Sequence, residues 1–217
     1  MDSSLIQLEY SDHESKEVIV ENWIKMLTNR GILIEDQLNK NIEEAKKSLN
    51  SENKDKSIIF SEKKNLSYIL IFILRKISTI VKDQDISTYL TTYKDYYKFF
   101  ILPTLEQTLL PTIDTISTKV EKQLTDMSNI EVFSSAFLMI DRINNIYVPK
   151  HILLTDEEAD QVVKEYAVKV HMEKIYTTDP IAKYYNAKAG QIFKIIRASN
   201  SAGYELAFRH VVSTKTN

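Results

Sequence analysis

The chain has 217 residues, of which 43% are hydrophobic and 27% are charged, and its formal net charge is −2. These proportions are typical of a protein with a packed core, and the small net charge gives no overall attraction for a polyanion such as nucleic acid. The absence of cysteine excludes disulfides, thiolate zinc sites and cysteine nucleophiles.

The first predicted elements are a helix, a tight turn and a second helix. Residues 1–14 are polar, so we expect a flexible N-terminus there. They also lack the basic segment and the apolar run that a secretory signal has. Apolar residues at helical spacing predict a helix over 16–30, with Gly31 as its stop, and a second helix over 36–49.

Strands and helices are predicted to alternate from there to residue 140. After a polar loop at 50–56, the predicted strands are 57–60, 66–74 and 129–140, with a further short apolar run at 99–102. The predicted helices are 77–93 and the second part of 105–124, where Pro111 marks a break. The longest apolar run, 66–74, is far shorter than the roughly twenty residues of a membrane-spanning helix. The alternation predicts an α/β domain over 15–140.

Residues 141–147 are predicted to join this domain to a second one over 148–217. Thr155 and Glu158 have the spacing of a capping box, which predicts a helix that runs to about residue 166. The Asp-Pro pair at 179–180 predicts a short helix, since Asp suits the N-cap and Pro the first helical position.

A β-hairpin is predicted to close the second domain. Gly190 allows a turn, the run 191–197 predicts a strand, Gly203 marks the bend, and 204–212 predicts the return strand with alternating faces. These elements predict a small α+β domain, so the whole chain is predicted to be α+β.

No common catalytic or metal-binding spacing is present. The histidines never lie three or four residues apart, and the sequence has no HExxH, no glycine-rich phosphate loop and no GxSxG. The acidic pairs 43–44 and 157–158 are adjacent on predicted helices, so their side chains diverge. We therefore expect no metal, no cofactor, no small-molecule ligand and no catalysis by this chain alone.

Two sets of residues suggest binding. Four lysines near aromatic residues could contact a nucleic-acid backbone, and they are Lys94, Lys98, Lys119 and Lys122. The stronger alternative is that the aromatic residues fill a core or an interface and that the lysines are solvated. Tyr184 and Tyr185 combine an apolar ring with a hydroxyl and suit an interface between chains. Burial of either tyrosine in its own domain is the alternative.

The stretch from residue 148 to residue 212 resembles a known family. It contains VPKHILLTDEEADQVVKEYAV and then DPIAKYYNAKAGQIFKIIRASNSAGYELAFRHVV. These segments closely resemble the C-terminal domain of the fifth subunit of eukaryotic nuclear RNA polymerases, a domain that archaeal RNA polymerases also contain. More loosely, ENWIKMLTNRGILIEDQLNKNIEEAKKSL resembles the opening of the same subunit's jaw domain. The archaeal counterpart lacks that jaw, so the length points to the eukaryotic form or a eukaryote-like viral form.

The chain departs from the family pattern near the hairpin. Asn186 replaces a glycine, and Asn tolerates the left-handed conformation, so we expect the turn to survive. The other departures are Ala189, Ala198, Asn200 and Tyr204, which stand where the family has Arg, Pro, Glu and Arg. They remove charge and argue against a salt bridge at that end of the domain.

The resemblance implies a non-catalytic structural subunit of a DNA-directed RNA polymerase. The C-terminal domain would assemble on the largest subunit and neighbouring subunits. The jaw would line the cleft where downstream duplex DNA enters, and it would contact that DNA weakly and without sequence specificity. The implied interface residues are Pro149, His151, Thr155, Asp179, Pro180, Tyr184, Tyr185, Gly190, Arg197, Gly203 and Arg209. The implied location is the nucleus or, for a large DNA virus, the viral factory or virion.

Two other functions stay open at this point. A nuclease-like enzyme would use the α/β half on nucleic acid, although no convergent set of carboxylates supports it. A regulator could carry the same C-terminal domain to bind polymerase without being a stoichiometric subunit.

Overall fold

The computed structural model describes residues 11–50, 55–73, 84–102, 124, 127–166, 172–199 and 203–213. It divides the chain into two units, Met1–Ile140 and Asp141–Asn217. Both units combine helices with a four-stranded sheet, so the predicted α+β class is confirmed. Among the described helices, none has the length and apolar character that a membrane crossing requires. The predictions for residues 74–83 and for nearly all of 105–124 lie outside the described residues.

Two helices open the first unit, α1 at Asp12–Asn29 and α2 at Leu38–Asn50, with a 3₁₀ turn at Glu35–Gln37 between them. Helix α1 begins inside the segment that was predicted to be flexible. The Ser11 hydroxyl accepts from the Glu14 N–H at 3.3 Å, and the Glu14 carboxylate accepts from the Ser11 N–H at 2.9 Å. This capping box satisfies two backbone donors and starts the helix, which the sequence prediction missed.

The first sheet contains β1 at Lys56–Ser61, β2 at Leu66–Phe72, β3 at Tyr97–Leu102 and β4 at Ile130–Ser134. The strands lie in the order β1-β2-β3-β4, and only β1 runs antiparallel to its neighbour. Helix α3 at Gln84–Thr92 precedes β3. The central strands β2 and β3 are buried along almost their whole length, as strands covered on both faces are.

The prediction of one strand over 129–140 is wrong in its second half. The strand ends at Ser134, and helix α4 follows at Ser135–Met139. The Ser134 hydroxyl accepts from the Phe137 N–H at 3.2 Å and caps this helix. A short apolar run does not distinguish a buried strand from a buried helix, and the cap decides between them.

Aromatic rings connect α1 to the sheet and to α4. The Trp23 and Phe99 ring centroids are 5.7 Å apart in an edge contact, Phe99 stacks on Phe133 at 6.3 Å, and Phe133 lies 4.9 Å from Phe137. All four side chains are at most 2% exposed. Each such pair stabilises the core beyond its buried area.

The second unit contains β5 at Lys150–Leu153, α5 at Asp156–Tyr166, β6 at Glu173–Tyr176, α6 at Pro180–Tyr184, β7 at Ile192–Ser199 and β8 at Gly203–Val212. The strand order is β5-β7-β8-β6, with β6 parallel to β8 and the other pairs antiparallel. Both predicted helices and the predicted hairpin are present. Strands β5 and β6 were not predicted, because four residues are too few to show an alternating pattern.

Candidate functional site

Side-chain caps position the two helices of the second unit. The Thr155 N–H donates to the Glu158 carboxylate at 2.9 Å, and the Glu158 N–H donates to the Thr155 hydroxyl at 3.3 Å. The Asp179 carboxylate accepts from the Ile181 N–H at 2.8 Å, and Pro180 is the first residue of α6. These predicted interface residues therefore have a local structural role at helix starts, while Thr155 and Pro180 are also exposed.

The tyrosine pair packs within its own unit. Tyr184 is only 5% exposed, and its ring lies 5.3 Å from the ring of Tyr185. The Tyr185 hydroxyl donates to the His151 carbonyl oxygen at 3.2 Å, and its ring contacts Phe193 at 5.7 Å. Burial raises the pKa of Tyr185. Tyr184 is therefore buried in its own domain, which was the alternative to an interface role. Tyr185 connects the end of α6 to β5 and β7 through its hydrogen bond and its ring contact.

His151 belongs to the same cluster. Its Nδ1 lies 2.7 Å from the Pro149 carbonyl oxygen, and its ring meets Phe193 edge-on at 5.9 Å. Burial lowers the pKa of His151 against smaller opposing effects of this hydrogen bond and of Asp179. A half-buried neutral histidine held in this way is a packing residue of the second unit.

The hairpin retains an ion pair. The Arg197 guanidinium donates to the Glu205 carboxylate through Nε at 3.0 Å and Nη2 at 3.1 Å, across directly paired positions of β7 and β8. The departures from the family pattern made a salt bridge at this end of the domain questionable, but this pair is formed, and Ala198 and Tyr204 are the residues next to it. A second pair joins Arg209 to Glu173 at 3.3 Å.

In the described part of the second unit, three turn positions have a positive φ. Asn186 has φ +51°, Gly190 has φ +101° and Gly203 has φ +74°. The expectation that asparagine preserves the family's glycine turn is confirmed at Asn186. The predicted interface residues thus lie at helix caps, in the His151–Tyr185 contact and at the hairpin, rather than in one exposed patch.

The second sheet has two chemically different faces. Directly paired residues share a face, and successive residues of a strand alternate between faces. The core face carries the buried cluster of Phe193, Ile195 and Val211 and both ion pairs. The opposite face, which we call the lysine face, is defined by Lys150, Lys174, Lys194, Ile196, Tyr204 and Leu206. The sequence prediction missed it, because two of its lysines lie on the unpredicted strands β5 and β6.

The predicted DNA lysines of the first unit differ from one another. Lys98 is 4% exposed, and its Nζ donates to the carbonyl oxygens of Lys94 at 3.2 Å and Tyr96 at 2.9 Å. Burial lowers the pKa of Lys98. The prediction of a DNA contact is therefore wrong for Lys98, because its ammonium group is buried and donates hydrogen bonds to backbone carbonyl oxygens of its own unit. Lys94 is exposed, whereas Lys119 and Lys122 lie outside the described residues.

A buried ion pair, missed in the sequence, fixes the end of α1 to the sheet. The Arg30 guanidinium binds both Glu131 oxygens at 2.7 and 2.8 Å, and the Tyr97 hydroxyl donates to the same carboxylate at 2.9 Å. The Arg30 and Glu131 side chains are 6% and 12% exposed.

Within the described residues, no group of three or more His, Cys, Asp or Glu side chains is placed to hold a metal.

Comparisons with known proteins give matches over the second unit. The family model described as RNA polymerase Rpb5, C-terminal domain, matches residues 140–211. The DNA-directed RNA polymerase subunit Rpo5 of Methanothrix thermoacetophila is 50% identical over 66 residues, which are 30% of this chain and 85% of that protein.

Two further relatives come from a eukaryote and a virus. The Dictyostelium discoideum subunit rpabc1 of DNA-directed RNA polymerases I, II and III is 38% identical over 90 residues, 41% of this chain and 44% of that protein, so the match spans less than half of that relative. The DNA-directed RNA polymerase subunit 5 of Acanthamoeba polyphaga mimivirus is 29% identical over 213 residues, 96% of this chain and 98% of that protein.

These relatives belong to one class of protein, the subunits of DNA-directed RNA polymerases. Within that class, the chain belongs to the RNA polymerase subunit 5 family, as the sequence resemblance indicated.

Proposed function

We propose that this chain is a non-catalytic structural subunit of a multisubunit DNA-directed RNA polymerase. Its second unit docks on the largest subunit, and its first unit lines the cleft through which downstream duplex DNA enters. The observation that carries the proposal is the match of residues 140–211 to the subunit family, over a unit whose caps, hairpin and sheet are all formed.

The first unit acts as the jaw domain and contacts DNA weakly. The similarity to a mimivirus polymerase subunit extends over 96% of the chain, and therefore over the first unit as well, which supports a role for this unit in a polymerase. A net charge of −2 suits such a role, because strong independent binding to DNA requires a basic surface. The protein acts in the nucleus or, in its viral form, in the viral factory or virion; the whole-length viral similarity supports the second.

Affinity purification of the tagged chain from its source, followed by mass spectrometry, tests this function. We expect the largest polymerase subunit to be recovered in equimolar amount. Substoichiometric recovery would favour the regulator, and recovery of no polymerase subunit would contradict the proposal. Incubation of the purified chain with duplex DNA and Mg²⁺ should leave the DNA intact; cleavage abolished by a single carboxylate change would establish the nuclease-like enzyme instead.

A further inference from the structure

Apolar and basic side chains alternate across the lysine face. The register aligns Lys150, Ile196 and Leu206 in one row across β5, β7 and β8, and the neighbouring row contains Lys194. Leu206 is 51% exposed, and Tyr204, at the hairpin end of the same face, is 76% exposed. Large apolar side chains this exposed and this close together are typical of a protein-binding surface.

The cations of this face have no carboxylate neighbours in the sheet. The four strands contain two acidic residues, Glu173 and Glu205, and both lie on the core face, paired with Arg209 and Arg197. In the part of the chain that the structure describes, Lys150, Lys174 and Lys194 form no ion pair. The sheet therefore neutralises its charges on one face and leaves the other positive.

An open groove extends the lysine face at its β6 end. It has a volume of about 940 Å³, and its lining includes Lys174, Tyr176, Gly190, His210 and Val212. Lys174 and His210 are directly paired across β6 and β8, so both side chains lie on this face. The groove thus offers a place for side chains of a partner beside a lysine ammonium group.

We propose that the lysine face is the surface by which the second unit docks, and that it binds a segment of another polymerase chain carrying both aliphatic side chains and carboxylates. This inference rests on the proposed function. The apolar rows favour burial against a partner, but burial of unpaired lysines is unfavourable. A partner that supplies both apolar side chains and carboxylates buries the apolar rows and also pairs the lysines. Such charge pairing also disfavours partners with a positively charged surface.

Charge reversal tests the proposal in the full chain. We expect the double variant Lys150→Glu/Lys194→Glu to be incorporated into polymerase at least about tenfold less than the wild type. The matched control is Lys63→Glu/Lys64→Glu, which makes the same charge change in the exposed β1–β2 turn. Lys150→Arg/Lys194→Arg should be incorporated normally, since it keeps the charge.

A photo-crosslinker identifies the partner directly and does not depend on the folding of the charge variants. Replacement of Tyr204 by p-benzoylphenylalanine in the assembled polymerase should give crosslinks to a protein segment that contains several Asp or Glu residues. The same replacement at Tyr147, which is 90% exposed in the same unit, serves as the control and should not label that segment.

Crosslinks from position 204 to nucleic acid, to a segment without carboxylates, or to nothing would overturn the inference. So would equal incorporation of the charge-reversed variant and its control. These results leave the proposed function intact provided that the wild-type chain assembles. A wild-type chain that does not enter polymerase contradicts the proposed function itself.

Discussion

At the residue scale, removal of one partner of the buried pair of Arg30 and Glu131 should strongly destabilise the first unit. The Arg30→Met variant leaves a carboxylate that is 12% exposed without its partner, and we expect a loss of about 3–5 kcal/mol in the free energy of unfolding. Replacing both residues, as Arg30→Met/Glu131→Leu, should cost less than the sum of the single changes, because no charge is left buried.

The only tryptophan in the sequence, Trp23, provides the measurement, since its fluorescence in urea reports the first unit. The matched control is Lys46→Met, which breaks a pair with Glu21 at 3.0 Å whose side chains are 29% and 36% exposed. A pair near the surface should contribute only about 0–1 kcal/mol. Equal losses in the two single variants would show that the burial of Arg30 and Glu131 has no energetic consequence.

His151 should make the second unit sensitive to mild acid. Burial holds its pKa below the ordinary value, so the unfolded chain binds a proton more readily than the folded chain. Its contribution to stability is therefore complete above about pH 6.5 and is lost as the pH falls toward the lowered pKa. The decrease in the free energy of unfolding between pH 7.5 and pH 5.5, measured by circular dichroism in urea, should be smaller in His151→Gln. An unchanged decrease would contradict this role.

The residues that sequence analysis predicted correctly are those whose role is local. Asp179 and Thr155 cap helices that start beside them, and Asn186 adopts the left-handed turn within its own segment. Lys98 was misjudged because its burial depends on how β3 lies in the sheet. The Arg30–Glu131 pair is separated by 101 residues along the chain, and no single-sequence pattern predicts such a contact.

At the scale of elements, the cap of α6 should stabilise the second unit. Asp179→Ala removes the acceptor of the Ile181 N–H, and we expect it to lower the free energy of unfolding by about 1 kcal/mol. Asp179→Asn keeps a side-chain acceptor and is the matched control, which should lose much less. Thermal unfolding followed by circular dichroism compares them; equal losses would mean that the cap's hydrogen bond does not stabilise the unit.

Tyr185 directly follows helix α6 as its C-cap, and its hydroxyl and ring contact β5 and β7. Loosening of this helix should therefore disturb the sheet that forms the lysine face. The sequence predicted α6 and the hairpin because each is set by a cap or a turn. It missed β5 and β6, because their identity depends on pairing with β7 and β8. Short edge strands are defined by their neighbours and hardly at all by their own composition.

At the scale of the whole molecule, the two units should have separable effects on polymerase. Lys94 is the exposed member of the predicted DNA lysines within the described part of the chain. Lys94→Ala should leave assembly unchanged and reduce the salt dependence of downstream DNA retention, by roughly one unit in the slope of log K against log salt if it contacts one phosphate. Electrophoretic shifts of assembled polymerase across a salt series give the slope. The control is Lys64→Ala, in an exposed turn of the same unit. Equal slopes in the wild type and both variants would show that Lys94 does not contact DNA.

The most direct test of the account is native mass spectrometry of the intact polymerase, purified through a tag on its largest subunit. If the second unit is a docking module, the complex contains one copy of this chain, and the copy is lost when Lys150 and Lys194 are both changed to Glu. A complete polymerase that lacks the chain, or retains it at less than one copy, would contradict the conclusion that this protein is a structural subunit.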